Sequence, residues 1–148
     1  MHTSTTSTAT LVPWTAEQLK DATQGQWHND KVPSGEIKRI LTDSRDAELG
    51  DAFLALKGER FDAHAFIAQV ATQGCELAIV SQPIDADICQ LVVDDTRLAL
   101  GRLGAYRRQQ NPQLKVIALT GSSGKTTTKE MLGSILNHIA PTLITRGN

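Results

Sequence analysis

The run Gly121-Ser122-Ser123-Gly124-Lys125-Thr126-Thr127 constrains the fold of this chain more than any other part of its sequence. It follows an apolar segment, residues 116–119, and precedes residues 131–139, where apolar side chains recur at helical spacing. Its two glycines lack a Cβ, so the backbone there can turn sharply and approach an anion closely. The pattern therefore predicts a β-strand, a phosphate-binding turn and an α-helix in succession.

The expected ligand of this turn is a nucleotide phosphate. The common phosphate loop has a longer spacing between its first glycine and its Gly-Lys pair, so the standard pattern is not matched. The chemistry is retained, because backbone N–H groups and the helix dipole still face the anion. Lys125 supplies a cation for the β- and γ-phosphates, and the Thr126 hydroxyl is suited to ligate Mg²⁺. The alternative, a glycine-rich turn with an exposed lysine, is disfavoured by the flanking strand and helix.

The preceding residues predict alternating helices and strands. Thr15 and Gln18 form a capping-box pattern for a first helix that ends near Gly25, and turn residues predict a loop over residues 26–35. Hydrophobic periodicity then predicts strands at residues 37–41, 52–56, 77–80 and 90–93, and helices at residues 63–71 and 96–110. This alternation is typical of the α/β class.

The chain is predicted to have two parts, with Pro112 at the boundary. Residues 1–12 are rich in Ser and Thr and are expected to form a disordered tail. Residues 13–112 form a small N-terminal α/β domain, and residues 113–148 form the first β–phosphate loop–α–β unit of a parallel-sheet domain, with its next strand at residues 142–145. Because a parallel sheet needs more strands and helices on both faces, we expect this chain to be a fragment.

Composition excludes several classes of function. The formal net charge is -1 and no long basic run is present, so nucleic acid is not an expected partner. No segment approaches the roughly 18 apolar residues that span a membrane. Cys75 and Cys89 form no CxxC pair and are expected to be buried thiols in a reducing compartment, which indicates the cytoplasm. The histidines lack metal-ligand spacing, so no zinc site is expected.

The chain resembles the Mur ligases and their folylpolyglutamate relatives in several blocks. The Gly-x-x-Gly-Lys-Thr-Thr run after an apolar strand is similar to their ATP loop, and Thr128-Lys129-Glu130-Met131 resembles the branch that adds D-alanyl-D-alanine. Three upstream blocks and one final block are similar to successive parts of the same enzymes: residues 42–45, 50–64, 93–99 and 145–148. Their occurrence in the same order identifies residues 14–148 as similar to that family.

The resemblance implies an ATP-dependent peptide ligase of peptidoglycan synthesis, monomeric at full length. Its substrates would be UDP-N-acetylmuramoyl-tripeptide, D-alanyl-D-alanine and ATP with Mg²⁺, and it would act through an acyl phosphate. Lys125 would be catalytic, residues 121–127 would bind ATP and Thr126 would ligate Mg²⁺. Residues 13–112 would be the substrate domain, whose UDP-binding residues would be Thr42, Ser44, Glu59, Arg60 and Phe61. We expect this chain alone not to ligate, since the remaining catalytic groups of the family lie further along.

Several alternatives stay open from the residues themselves. Asp43 and Arg45 could form only a local ion pair or turn bond, Phe61 could pack in the core, and His64 is expected to be structural. Asp94 and Asp95 are expected to cap the next helix. The Mur ligase that adds the third residue, a folate-type ligase, a non-catalytic UDP-precursor-binding module and another phosphate-loop ATPase or kinase are the rival functions.

Overall fold

The computed structural model describes residues 12–145 of the chain. Residues 12–112 form one compact unit and residues 113–145 form a second. The predicted tail, apart from Val12, lies outside the described residues. None of the helices within residues 12–145 is long and apolar enough to cross a membrane.

The first unit is built on a five-stranded sheet. Its strands are β1 (Gln26–Trp27), β2 (Ile40–Leu41), β3 (Ala52–Leu54), β4 (Leu77–Val80) and β5 (Cys89–Val92). Their spatial order is β1-β5-β4-β3-β2; β2 to β5 are parallel, and β1 is antiparallel to β5. The predicted α/β class is confirmed. Because β2 and β3 are parallel, the loops that follow them meet at one edge of the sheet.

Helices cover both faces of this sheet. They are α1 (Ala16–Thr23), α2 (Ile67–Thr72) and α3 (Thr96–Gln110). On one face, α1 and α3 pack on a cluster that includes Leu19, Leu54, Ile79, Leu91 and Leu103. On the other face, α2 and its flanking loops pack on a cluster that includes Phe53, Ile67, Val70, Ala78 and Val80. Successive residues of β3 and β4 thus enter opposite cores, as strand geometry requires.

The start of α1 confirms the predicted capping box. The Thr15 amide donates to Gln18 Oε1 at 3.1 Å, and the Gln18 amide donates to Thr15 Oγ1 at 3.2 Å. The helix ends at Thr23 because Gln24 adopts the left-handed conformation, with φ of 58°. The predicted end near Gly25 is therefore correct to within two residues.

Asp95 caps α3, and its removal gives a measurable prediction. Asp95 Oδ1 accepts the amides of Arg97 at 2.8 Å and Leu98 at 3.0 Å. Asp95→Ala leaves both first-turn donors without this acceptor, so we expect a loss of about 1 kcal/mol in the free energy of unfolding. Urea denaturation checks this, with Asp95→Asn as the control because an amide oxygen retains the cap. Equal stability of the two variants would contradict the capping role.

Two predictions in residues 26–41 are only partly correct. Residues 26–35 were expected to form a loop, but Gln26 and Trp27 form β1 by pairing with Val92 and Leu91 of β5. The turn-rich composition hides this strand, because it is specified by a distant partner rather than by its own residues. The strand expected at residues 37–41 is confined to Ile40–Leu41, while Ile37 forms an isolated bridge with Trp14.

The predicted core contacts of α3 are only partly correct. Leu103 is buried and Tyr106 packs against the core, but Leu98 is 54% exposed. The buried positions are Thr96, Ala99 and Leu103, which are spaced three and four residues apart and share one helix face. Leu98 precedes Ala99 by one position, about 100° around the helix, and therefore faces outward.

The second unit contains α4 (Lys125–Leu136), which follows the predicted phosphate loop. The strands expected at residues 116–119 and 142–145 are not formed within the described part of the chain. A parallel strand requires a hydrogen-bonded neighbouring strand, and no described residue forms a β-bridge with either segment. Gly133 of α4 lies so close to Ile144 that a Cβ there would meet the Ile144 side chain. The Ile144 side chain therefore packs against the helix, although residues 142–145 do not form a strand.

Candidate functional site

A cavity of about 510 Å³ opens at the carboxyl ends of β2 and β3. One wall comes from the segment after β2 and the other from the loop after β3. The lining residues are Thr42, Asp43, Ser44, Arg45, Phe53, Phe61, Ala63, Phe66 and Gln69. Hydroxyls, an ion pair and aromatic rings thus surround one space, at the sheet edge where α/β folds commonly bind ligands.

Asp43 and Arg45 shape the first wall. The Asp43 carboxylate accepts the Arg45 amide at 3.0 Å, its Nε at 2.9 Å and its Nη2 at 2.6 Å. The side-chain bond from Arg45 is the main cause that lowers the pKa of Asp43 to about 2. Both parts of the local alternative, the ion pair and the turn bond, are present. The pair fixes the backbone that carries the Thr42 and Ser44 side chains.

The pKa of Asp43 provides a test of this wall. In Arg45→Met the pKa should rise from about 2 toward its ordinary value of 3.8, though only partway, because the Arg45 amide still donates. In the native chain the lowered pKa stabilises the fold above about pH 4, and this contribution is lost as pH falls toward 2. NMR titration of the Asp43 carboxyl carbon measures the shift. Arg60→Met is the control, and an unchanged Asp43 pKa in Arg45→Met would contradict the assignment.

The second wall belongs to the cavity loop, residues 57–66. A bridge between Lys57 and Asp62 closes it, and the Gly58 amide donates to the Phe61 carbonyl at 2.7 Å. Phe61 is 54% exposed, and its ring lies 6.1 Å from the Phe66 ring, centroid to centroid. The alternative that Phe61 packs in the core is therefore wrong. Its exposed face is available to a planar ligand.

The structure brings together only some of the predicted UDP-binding residues. Thr42, Ser44 and Phe61 line the cavity, whereas Glu59 and Arg60 are exposed on the cavity loop outside that lining. Sequence reasoning missed four lining residues: Phe53, Ala63, Phe66 and Gln69. Phe66 shares helical spacing with core residues, so its pattern indicated the core. Side chains alternate between the two faces of a strand, so the sequence of β3 could have predicted that Phe53 lies on the face covered by α2.

The predicted phosphate loop begins α4. Gly121 has φ of 155° and Gly124 has φ of 79°, values that residues with a Cβ rarely adopt. Gly124 occupies the N-cap position without a side-chain cap, and its carbonyl accepts the Thr128 amide at 3.0 Å. Lys125 Nζ donates to the Gly121 carbonyl at 2.6 Å, so the lysine folds back over the loop. The cation and the positive end of the helix dipole therefore lie at the same place.

No protein-family model matches the chain. It is 46% identical to the UDP-N-acetylmuramoyl-tripeptide–D-alanyl-D-alanine ligase of Escherichia coli over 138 residues, which are 93% of this chain and 30% of that protein. A crystal structure of MurF from Acinetobacter baumannii matches with a TM-score of 0.87 and 78% identity over 94% of this chain and 30% of that one. This chain belongs to the Mur ligase family.

The resemblance inferred from the sequence blocks is thereby confirmed. The chain spans about 30% of the length of these Mur ligases. MurF ligase from Thermotoga maritima, solved in complex with ADP, matches with a TM-score of 0.54 and 33% identity over 69% of this chain and 24% of that one. A Mur ligase that carries a bound adenine nucleotide thus shares this fold over much of the chain.

Proposed function

We propose that this chain carries the UDP-precursor site and the phosphate loop of an ATP-dependent ligase that joins D-alanyl-D-alanine to UDP-N-acetylmuramoyl-tripeptide. The observation that carries the proposal is the cavity of about 510 Å³ between residues 42–45 and the cavity loop. The high identity to ligases of that name supports the choice of substrates. The cavity would hold the UDP end of the precursor.

The cavity chemistry suits a nucleotide. The Thr42 and Ser44 hydroxyls can each donate to a phosphate or uracil oxygen. The exposed Phe61 ring offers a stacking face, and base–aromatic stacking contributes about 1–3 kcal/mol per base. Arg45 adds positive charge at the same wall, although its guanidinium is already paired with Asp43. These groups would orient the precursor so that its peptide end extends away from the cavity.

The phosphate loop would bind ATP through residues 121–127. Lys125 would move its ammonium group from the Gly121 carbonyl to the β- and γ-phosphates, where it offsets the charge of the transferring phosphoryl group. Thr126, in the first turn of α4, has the hydroxyl ligand that Mg²⁺ accepts beside nucleotide phosphates. When bound, Mg²⁺ would neutralise phosphate charge.

The proposed reaction has two steps. The terminal carboxylate of the tripeptide attacks the γ-phosphorus of ATP, the bond to the β-phosphate oxygen breaks, and ADP leaves an acyl phosphate. The amine of D-alanyl-D-alanine then attacks the acyl carbon, forms the new amide and releases phosphate and a proton. The role of the residues in this chain is positioning and charge neutralisation, which supply most of the catalysis in phosphoryl transfer.

Calorimetric titration with UDP-N-acetylmuramoyl-tripeptide tests the proposal, with UDP-N-acetylglucosamine as the comparison ligand. Selective binding of the peptide-bearing nucleotide is the expected result. Phe61→Ala should weaken that binding about tenfold through the loss of stacking. Leu98→Ala is the matched control, because Leu98 is also 54% exposed but lies outside the cavity. Failure of the folded native chain to bind either nucleotide would overturn the assignment of the cavity.

A further inference from the structure

His64 is a buried histidine that joins the cavity loop to the end of β4. Its side chain is 4% exposed and does not line the cavity, although Ala63 beside it does. His64 Nδ1 lies 2.6 Å from Asp62 Oδ1, and His64 Nε2 lies 3.0 Å from the Ser81 amide nitrogen. The imidazole therefore connects the loop after β3 with the residue that follows β4.

The hydrogen bonds define the tautomer of His64. The Ser81 amide can only donate, so Nε2 must carry a lone pair rather than a proton. The ring proton is then on Nδ1, where it donates to the Asp62 carboxylate. Asp62 is held as an anion, since the hydrogen bonds from the His64 amide and ring lower the pKa of its carboxyl. Both ring nitrogens are thus used within the protein, and His64 has no free nitrogen to act on a substrate.

The Ser81 contact fixes the base of the cavity loop. The Ala63 amide donates to the Leu56 carbonyl at 2.9 Å, which holds the loop against the segment that follows β3. The His64 ring links the loop to the end of β4 by accepting a hydrogen bond from the Ser81 amide. A backbone donor at the end of a buried strand needs such an acceptor, because leaving it unpaired costs about 1–3 kcal/mol. The Ala63–Leu56 and Ser81–His64 hydrogen bonds together fix the position of the cavity loop relative to the sheet.

Phe61 and Phe66, on either side of Ala63 and His64 in the sequence, form the aromatic wall of the cavity. Phe61 lies three positions before His64 and Phe66 lies two positions after it, and both line the cavity. Their rings are 6.1 Å apart at a tilt of 33°. The opposite wall, with Thr42 and Ser44, follows a different strand, so the width of the cavity depends on the position of the loop.

We propose that His64 is a positioning residue of the nucleotide cavity: by accepting the Ser81 amide at Nε2, it holds the Phe61 and Phe66 rings at the separation from Thr42 and Ser44 that a nucleotide requires. The inference rests on the proposed function for the identity of the ligand. The aromatic wall itself is a property of the ligand-free chain, so its dependence on His64 can be measured separately.

Two conservative variants separate the roles of the ring nitrogens. In His64→Gln, Oε1 occupies the place of Nε2 and can still accept the Ser81 amide, while the donor to Asp62 is lost. In His64→Asn, the shorter amide can still donate to Asp62 but does not reach Ser81. We expect His64→Gln to bind UDP-N-acetylmuramoyl-tripeptide within about threefold of the native affinity and His64→Asn to bind about tenfold more weakly, as for the loss of one positioning hydrogen bond.

Calorimetry on the full chain measures these affinities, and urea denaturation measures the stability of both variants. Rescue by Gln but not by Asn supports the proposal. Equal affinities for the two variants would overturn it. The proposal would also be overturned if the loss of affinity in each variant were accounted for by the fraction of that variant that is unfolded. Nitrogen NMR of the native chain provides a spectroscopic signature: His64 Nε2 should resonate as an unprotonated nitrogen, and a protonated Nε2 would also overturn the proposal.

Failure of the proposed function would be recognised separately. If the native chain binds no UDP-linked precursor, the function of the cavity is wrong, and the positioning role is judged in the ligand-free chain. Proton NMR contacts between the Phe61 and Phe66 rings should then persist in His64→Gln and be lost in His64→Asn. The same ring contacts in both variants would exclude a positioning role for the Ser81 bond.

Discussion

Asp51→Ala is expected to remove about 3 kcal/mol from the free energy of unfolding. The Asp51 side chain is only 2% exposed, and its carboxylate accepts Arg39 Nε at 3.0 and 3.1 Å and the Glu48 amide at 2.9 Å. Removing the carboxylate leaves a partly buried guanidinium and a backbone amide without their acceptor. Urea denaturation followed by tryptophan fluorescence measures the loss.

The same substitution should also disturb the first wall of the cavity. Arg39 Nη2 donates to the Asp46 carbonyl at 2.6 Å, so the Arg39–Asp51 pair anchors the segment that carries Thr42 and Ser44. Glu48→Ala is the matched control, because Glu48 is 3.9 Å from the same guanidinium but its side chain is 74% exposed. An exposed pair of this kind contributes less than about 1 kcal/mol. Similar losses in both variants would show that burial of Asp51 does not govern its contribution.

Local signals in the sequence predicted much of the first unit. The strand at Leu77–Val80 and the helix at Thr96–Gln110 have the predicted bounds. Both have strong local causes: a continuous apolar run in the strand, and an aspartate cap with Asn111-Pro112 at the end of the helix. Where hydrophobic period and capping agree, nearby residues are sufficient to specify an element.

Elements that depend on distant partners could not be predicted in this way. β1 exists because β5 offers a free edge, and Gly25 beside it lies where a Cβ would be 2.9 Å from the Leu91 side chain. The connection from β4 to β5 has no helix; instead Gln90, which is 2% exposed, accepts the Ile84 amide at 2.8 Å and donates to its carbonyl at 2.7 Å. A glutamine in a strand gives no local indication of that role.

The candidate site shows the same division. The turn at Gly121 and Gly124 and the start of α4 at Lys125 were predictable from their fixed spacing after an apolar run, and phosphate binding by this loop stays a prediction. Thr42, Ser44 and Phe61 followed from the family resemblance, and the cavity brings these three together. Gln69 and the link between His64 and Ser81 were not foreseen, because they depend on how α2 and β4 pack beside the cavity loop. Side chains that position a site are specified by tertiary contacts rather than by motifs.

Gly124→Ala is expected to weaken binding of ATP in the presence of Mg²⁺ by at least about tenfold. Nothing lies within 4 Å of a Cβ built at Gly124, so the substitution introduces no clash. Its effect comes from the backbone, since alanine disfavours the φ of 79° that Gly124 adopts at the start of α4. A shift to negative φ would turn the loop amides away from the phosphates and move Lys125 off its place over Gly121.

Gly104→Ala is the matched control, because a Cβ there also meets nothing within 4 Å, and Gly104 lies inside α3. That control should retain affinity and gain up to about 1 kcal/mol of stability from its higher helix propensity. Calorimetric titration with ATP and Mg²⁺ compares the two variants, and equal affinities would show that nucleotide binding does not require the left-handed residue at position 124.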